Sequence, residues 1–423
     1  MRLHLTAALC LSTPVLAQET QPNILLIIAD DMGRDALSCY DVGNQQAPMP
    51  VVEELCAQGM VFDNAYAYPV CSPTRASLLT GRYASETGVG DVVSFRNQNS
   101  GLSESYTSLF DVLAPTDYAT TLIGKWHLAS QDDGYNHPAS FGVSDYFGLY
   151  TGGTRDYFRW NAVENGARTA VDGYMTSVFT DRAADWIAAQ DDNPWFLWLA
   201  YTAPHSPFHT PPQDLHGFGD IDDEDENTQY NAMLEAMDTE IGRLLDGMDP
   251  DTRANTVVIF IGDNGSPSQL VRGLYAPHAA KGTLYESGIH VPMVMAGPGV
   301  ASGRTDAFAS VTDLHETIAA LAGTQGASPA SYNLLPVLSG GEGPRDVVFI
   351  ERFGDAPANR RNSYGWSIRQ GDMKLLMNDN DQAELYNLAT DPMEQTDLLA
   401  DGISDAETAI VAALTAERDA RVE

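Results

Sequence analysis

Residues 23–29 of this chain, NILLIIA, form a short continuous apolar run of the kind a strand shows when both its faces are buried. Four similar runs occur at residues 119–123, 195–200, 256–261 and 292–296. Between them apolar residues recur at helical spacing, over residues 51–58, 74–79, 176–190, 230–245 and 312–321. This alternation predicts an α/β fold, a large and mostly parallel sheet sandwiched by helices. A chain of 423 residues, 43% of them hydrophobic, has enough apolar surface to build such a core without disulfides. From about Gly340 the texture changes to short alternating pieces at residues 347–351, 366–369 and 374–377, with a terminal helix from Ala406. These predict a small C-terminal α+β domain carrying an antiparallel sheet, joined through the Gly-, Ser- and Pro-rich residues 323–344.

The residues immediately after the apolar runs bear on chemistry. Asp30-Asp31 comes after the first, Gly124-Lys125-Trp126-His127 after the second, Pro204-His205 after the third and Asp263-Asn264 after the fourth. Ligands of open α/β sheets bind beyond the carboxyl ends of the strands, so these groups are expected at one edge. Asp30, Asp31, Asp263 and Asn264 offer only oxygen ligands, which calcium and magnesium prefer and zinc does not. Lysine is scarce: Lys125, Lys281 and Lys374 stand against twenty arginines. One lysine directly succeeds a strand and another lies in the loop Ala280-Lys281-Gly282-Thr283. Both positions are read as needing a compact ammonium rather than a planar guanidinium.

The 58 acidic and 23 basic residues give a net charge of −35. That excludes nucleic-acid binding through a broad basic face and argues against docking on an anionic membrane. Met1-Arg2-Leu3-His4, an apolar stretch from Leu5 and a close at Ala17 describe a secretory signal peptide over residues 1–17, so the protein is expected to be exported, periplasmic or secreted. That stretch is too short to span a bilayer, and no membrane span is expected elsewhere. Export would leave Cys39, Cys56 and Cys71, an odd number in an oxidising compartment. Cys39 and Cys56 can pair, which the sequence alone does not decide, and Cys71 is then left over.

The segment Cys71-Ser72-Pro73-Thr74-Arg75-Ala76-Ser77-Leu78-Leu79-Thr80-Gly81-Arg82 resembles the signature of the type I sulfatases, members of the alkaline phosphatase superfamily. The likeness extends over nearly the whole chain after residue 17, as far as Glu384-Leu385-Tyr386-Asn387-Leu388. In that family the signature cysteine is oxidised to formylglycine by a formylglycine-generating enzyme, which would account for the odd cysteine. The resemblance implies a catalytic domain over residues 18–340 and a small domain over 341–423. It also implies one calcium ion held by Asp30, Asp31, Asp263, Asn264 and residue 71, and hydrolysis of a carbohydrate or aryl sulfate monoester to an alcohol and sulfate. Position 71 would supply a hydrated aldehyde, one hydroxyl attacking sulfur and the other later expelling sulfate. Arg75 would hold that hydrate, Asp263 take its proton, Lys125 and Lys281 neutralise sulfonate oxygens, His205 with Lys281 donate to the departing alcohol, and His127 deprotonate the second hydroxyl. Ala129 replaces a glycine frequent after the GKWHL segment, a departure that touches no catalytic role.

Candidate substrate contacts are Arg155, Arg159 and Trp160 after Gly152-Gly153, then His209, Arg272 and His278, and Arg352, Arg361 and Trp366 from the small domain. The high negative charge favours small sulfate esters or oligosaccharides over long sulfated polymers, which it repels where screening is weak. Two other functions fit the same residues. One is a phosphoester or phosphonate monoester hydrolase of the same superfamily; the other is a silent sulfated-glycan binder, should Cys71 stay a thiol.

Overall fold

Seven residues, Asn23–Ala29, form β1, a strand within the parallel part of a ten-stranded sheet. The computed structural model describes residues 21–43, 46–96, 101–190, 193–354 and 363–422. The expected signal peptide with Ala17, and Arg361, lie outside the described residues. The other strands of the sheet are β2 (Met60–Tyr66), β3 (Ala119–Gly124), β4 (Tyr146–Gly148), β5 (Arg159–Glu164), β6 (Ala167–Asp172), β7 (Trp195–Ala200), β8 (Thr256–Gly262), β9 (Met293–Ala296) and β10 (Gly303–Ser310). Their order is β10-β2-β9-β8-β1-β7-β3-β4-β5-β6. The block β8-β1-β7-β3-β4 is parallel throughout, and β9, β5 and β6 introduce antiparallel pairings on either side.

Side chains of a strand alternate between faces, which explains the unbroken apolar run. Ile24, Leu26 and Ile28 pack on one side with Leu78 and Leu79 of the helix Cys71–Thr80 and with Leu314 and Ile318 of the helix Asp313–Leu321. Leu25, Ile27 and Ala29 pack on the other with Phe179 of the helix Met175–Ala188, Met233 and Met237 of the helix Glu226–Asp246, and Val52 of the helix Pro50–Gln58. A disulfide joins Cys39 to Cys56 of this last helix.

The C-terminal part adds a second, antiparallel sheet: β11 (Val347–Arg352), β12 (Gly365–Gln370), β13 (Met373–Asn378) and β14 (Ala383–Asn387), in that order. The helix Asp405–Val422 covers it, burying Leu414 among Val347, Ile368, Leu375 and Leu385. The two sheets meet through buried charge. The Lys374 ammonium donates to Glu286 Oε1 at 2.9 Å and lies 2.7 Å from Glu394 Oε1, all three side chains at most 1% exposed. Among the described residues no helix is long and apolar enough to cross a membrane.

The strands that the sequence does not announce are those without a continuous apolar run. β2 carries Asp63-Asn64, β10 is largely exposed, and β5–β6 is a hairpin at the sheet's edge with β6 almost wholly solvent-facing.

Candidate active site

Four neighbouring parallel strands, β8, β1, β7 and β3, end at the same edge and deliver the groups that gather there. Asp30 comes directly after β1. Asp31 adopts a left-handed φ of 71°, a conformation aspartate tolerates better than most residues, and its amide donates to Asp263 Oδ1 at 3.1 Å. Asp263 and Asn264 come directly after β8. Gly124 closes β3 with φ 119°, and a Cβ there would lie 1.9 Å from the Ala200 carbonyl oxygen, so only glycine lets β3 turn against β7 and present Lys125. His205 lies beyond β7 with its Nε2 3.8 Å from Asp31 Oδ2.

Cys71 opens the ten-residue helix Cys71–Thr80, all of it buried. Its Sγ lies 3.3 Å from Asp30 Oδ1 and 3.4 Å from Lys125 Nζ, at a helix terminus whose free amides and dipole favour negative charge. Arg75 sits one turn further along and so on the same helix face. It donates to Asp263 Oδ2 and to the Lys125 carbonyl, each at 2.8 Å, and approaches Asp30 to 3.7 Å. Lys125 is also bonded to Asp30 Oδ2, and Lys281 to Asp31 Oδ1. Three carboxylates therefore face three cations in a buried cluster.

The surroundings set each group's proton affinity. Burial, reinforced by Asp30, pushes the Cys71 thiol up and lifts the Asp263 carboxyl to about 6. Burial would also raise Asp31, but Lys281, His205 and Lys125 outweigh it and hold that carboxyl below the ordinary range. Desolvation lowers His205 to about 4, and with Lys125 and Arg75 it holds His127 well below the usual imidazole value.

Hydrogen bonds assign the histidine tautomers. His127 Nε2 faces the Val93 carbonyl at 3.1 Å, and a carbonyl only accepts, so Nε2 carries the proton. Its Nδ1 is then a lone pair, buried and without a hydrogen-bond partner among the described residues. His205 Nδ1 faces the Ser206 carbonyl at 2.7 Å, which puts the proton on Nδ1 and the lone pair on the Nε2 that points to Asp31.

Ligand atoms of Asp30, Asp31, Cys71 and His205 all fall within 4.8 Å of one another. Asp263 and Asn264 join that group through Asp31: Asp263 accepts its amide, and Asn264 Nδ2 donates to its Oδ1 at 2.9 Å. Asn264 Oδ1 is buried with no hydrogen-bond partner among the described residues. An orphaned amide oxygen beside carboxylates whose present countercharges are Lys125, Lys281 and the Arg75 guanidinium suits a hard divalent cation, so these residues fit an ion such as calcium.

The expected substrate contacts are less concentrated. Arg159 is exposed on β5, 3.8 Å from Asp172, whereas Trp160 is buried in the core with its indole N–H donating to the Gly173 carbonyl at 3.2 Å. His209 packs against Tyr157 with ring centroids 4.3 Å apart, and Arg272 and His278 are exposed on the segment leading to Lys281. Arg352 reaches the Lys281 loop, donating to the Gly282 carbonyl at 2.5 Å while two of its nitrogens grip Asp91 Oδ1 at 2.7 and 3.0 Å. Three contributors carry roles that their place in the sequence did not reveal. Ser72 ties the His127 carbonyl to the Val93 amide through its hydroxyl, 2.9 Å from each. At Gly152 a Cβ would lie 2.3 Å from His127 Nε2, and at Gly153 it would lie 3.3 Å from His205 Cε1, so this glycine pair forms the wall between both imidazoles.

A family model described as Sulfatase matches residues 22–324. Human arylsulfatase A is 28% identical over 384 residues, covering 82% of this chain and 72% of that protein. Human N-acetylgalactosamine-6-sulfatase is 30% identical over 370 residues, covering 78% of this chain and 68% of its own length. The solved structure of Ps i-CgsB in complex with k-i-k-neocarrahexaose superposes with a TM-score of 0.82 at 26% identity, covering 95% of this chain and 93% of that one.

Proposed function

The chain belongs to the sulfatase family and is a sulfuric ester hydrolase, and from that premise we propose that it cleaves a carbohydrate sulfate monoester using formylglycine made from Cys71 and a bound calcium ion. The observation that carries the reading is the place of Cys71: a buried helix N-terminus, touched by Asp30 and Lys125 and underpinned by Arg75. Formylglycine supplies, once hydrated, one hydroxyl to attack sulfur and a second to release sulfate, a division of labour closed to an ordinary thiol or serine. Calcium, held by Asp30, Asp31, Asp263 and Asn264, supplies electrostatic stabilisation to sulfonate oxygens.

The remaining work falls to side chains. A sulfate ester resists attack because its anionic sulfonate repels nucleophiles and its leaving oxygen must take up charge; preorganised cations answer both. Lys125 and Lys281, each already bonded to an aspartate, neutralise sulfonate oxygens. Arg75 keeps the carboxylate edge and position 71 in register. Asp263, bonded to Arg75, is the carboxylate placed to take the proton of the attacking hydroxyl. His127 presents its Nδ1 lone pair as the base for the second hydroxyl. On the leaving side, His205 keeps its proton on Nδ1, so its Nε2 donates only as imidazolium, while Lys281 is held charged by Asp31 and donates directly.

A carbohydrate substrate is supported by the names of the relatives, one a sugar sulfatase and one holding a neocarrahexaose. Export, with removal of residues 1–17, is supported by the Cys39–Cys56 disulfide, which fits an oxidising compartment. A division near residue 340 into catalytic and small domains is supported by β11–β14 forming a sheet of their own.

Two measurements test the reading together. Intact-mass analysis of protein matured in its native host is expected to show a loss of about 18 Da at position 71, a thiol having become a carbonyl. Matched aryl sulfate and aryl phosphate esters are expected to give a kcat/KM higher for the sulfate. An unmodified thiol in fully active protein, or preference for the phosphate, overturns it.

A further inference from the structure

The glycine pair that walls the two histidines has a second side. Thr151, Gly153, Thr154 and Arg155 continue into a cavity of about 420 Å³, bounded also by β5 and β6. That volume lies within the range of about 300–1,000 Å³ usual for small-molecule sites. Gly153 belongs to both places, lining the cavity while its Cα hydrogen faces His205. A substrate whose reacting sulfate lies between His127 and His205 thus has its next portion directed along this loop.

The lining is unusual for this chain. Against a net charge of −35, Arg155, Arg159 and Arg168 all face the one cavity. Arg159 has only a loose, exposed approach to Asp172 at 3.8 Å, and among the described residues neither Arg155 nor Arg168 has a carboxylate within ion-pair distance. Several other arginines are closely neutralised, Arg345 by Asp313, Arg304 by Asp63 and Arg352 by Asp91, though Arg253 and Arg272 have no such pair among the described residues. Phe95, Tyr135 and Tyr150 line the same cavity, packed on one another with ring centroids 5.2–6.3 Å apart. Aromatic faces receive the C–H side of a sugar ring, and guanidinium forks receive planar or tetrahedral oxyanions in bidentate fashion.

We propose that this cavity is a subsite for a second oxyanion, sulfate or carboxylate, on the sugar adjoining the one that loses sulfate, so that the substrate is an oligosaccharide charged on neighbouring units. The assignment rests on the reading of Cys71, His127 and His205 as the reaction centre. It also gives the arginines a reason for being unpaired: a carboxylate of the protein in the same place would compete with the ligand.

The test uses the full-length protein and the double variant Arg155→Ala/Arg168→Ala. Both side chains are exposed, so the fold does not depend on them. Three esters are compared: an aryl sulfate, a disaccharide sulfated at the reacting unit with a neutral neighbour, and disaccharides whose neighbour bears sulfate or carboxylate. The double variant is expected to lose at least tenfold more kcat/KM on the doubly charged disaccharides than on the other two, chiefly through KM, with a shallower dependence on salt. The sulfate and carboxylate arms show which oxyanion is preferred. Equal losses on all esters, or none on the charged pair, overturn the proposal. Should the wild-type protein hydrolyse no sulfate ester, the proposed reaction falls by itself. Calorimetric binding of a charged disaccharide lacking the reacting sulfate, tight to wild type and at least tenfold weaker to the variant, still decides the subsite.

Discussion

The Cys71 thiol meets a carboxylate on one side and an ammonium on the other, and burial raises its proton affinity further. As a thiol it is a poor nucleophile, because the reactive thiolate is disfavoured there. Were residue 71 converted to the hydrated aldehyde proposed above, Asp30 and Lys125 would offer it an acceptor and a donor without requiring a thiolate. Cys71→Ser is therefore expected to release at most one equivalent of alcohol per chain and to lower steady-state kcat by at least about 10⁴-fold, the scale of losing a nucleophile. Stopped-flow release of a chromogenic phenol checks this, and sustained turnover by the serine variant counts against it. The calcium reading is tested at the same scale. Chelation is expected to abolish activity and to lower Tm, with calcium restoring both better than zinc, as an all-oxygen donor set requires. A chelated protein of unchanged Tm and activity would rule it out.

Among the elements, the loop Thr151–Thr154 governs how the histidines stand. Gly152→Ala places a methyl group 2.3 Å from His127 Nε2, so the ring must shift and break its bond to the Val93 carbonyl. A displacement of that order is expected to cost about 10²-fold in kcat with far-UV circular dichroism unchanged; near-wild-type kcat would show that the wall yields. The helix Pro50–Gln58 offers a pH-dependent case. Asp238 accepts from the Val51 and Val52 amides at 3.0 and 2.8 Å, and burial, with Glu53 and Glu235 adding to it, lifts its carboxyl to about 6. The folded chain holds that proton more tightly than the unfolded one, so this group's contribution falls as pH rises from 3.8 towards about 6, by about 3 kcal/mol. Urea unfolding at about pH 4 and about pH 7 is expected to show wild type losing roughly that much more stability than Asp238→Asn. A difference that does not change with pH rejects the account. The elements readable in the sequence were those with one dominant signal: continuous apolar runs for β1, β3, β7 and β8, and a twelve-residue motif for the helix bearing Cys71. The residues after those strands marked the site because topology alone brings such ends together. Gly152, Gly153 and Ser72 stayed hidden because their contribution is a backbone approach or a bridging hydroxyl. The β5–β6 hairpin stayed hidden because edge strands with one solvated face lack the apolar run.

Across the whole molecule, buried charge fastens the small sheet to the large one. Removing Lys374 leaves Glu286 and Glu394 facing each other at 1% exposure or less, and Lys374→Met is expected to cost about 3–5 kcal/mol. The triple variant Lys374→Met/Glu286→Gln/Glu394→Gln should recover much of that in denaturant unfolding; no recovery would locate the loss elsewhere. The net charge acts at longer range. At low salt, hydrolysis per site of a long sulfated glycan is expected to lag that of its disaccharide, the gap closing as the screening length falls below about 10 Å; equal rates at low salt would dismiss the effect. Lysine placement has a practical corollary. All three lysines are bound to aspartate or glutamate, and the Lys125 and Lys374 side chains are at most 1% exposed against 21% for Lys281. In most proteins an amine-reactive dye decorates the periphery at random; here the least buried lysine is held as an ammonium by Asp31 at the reaction centre, so the native fold is expected to resist lysine labelling and uptake of label at Lys281 becomes a sign that this pair has opened.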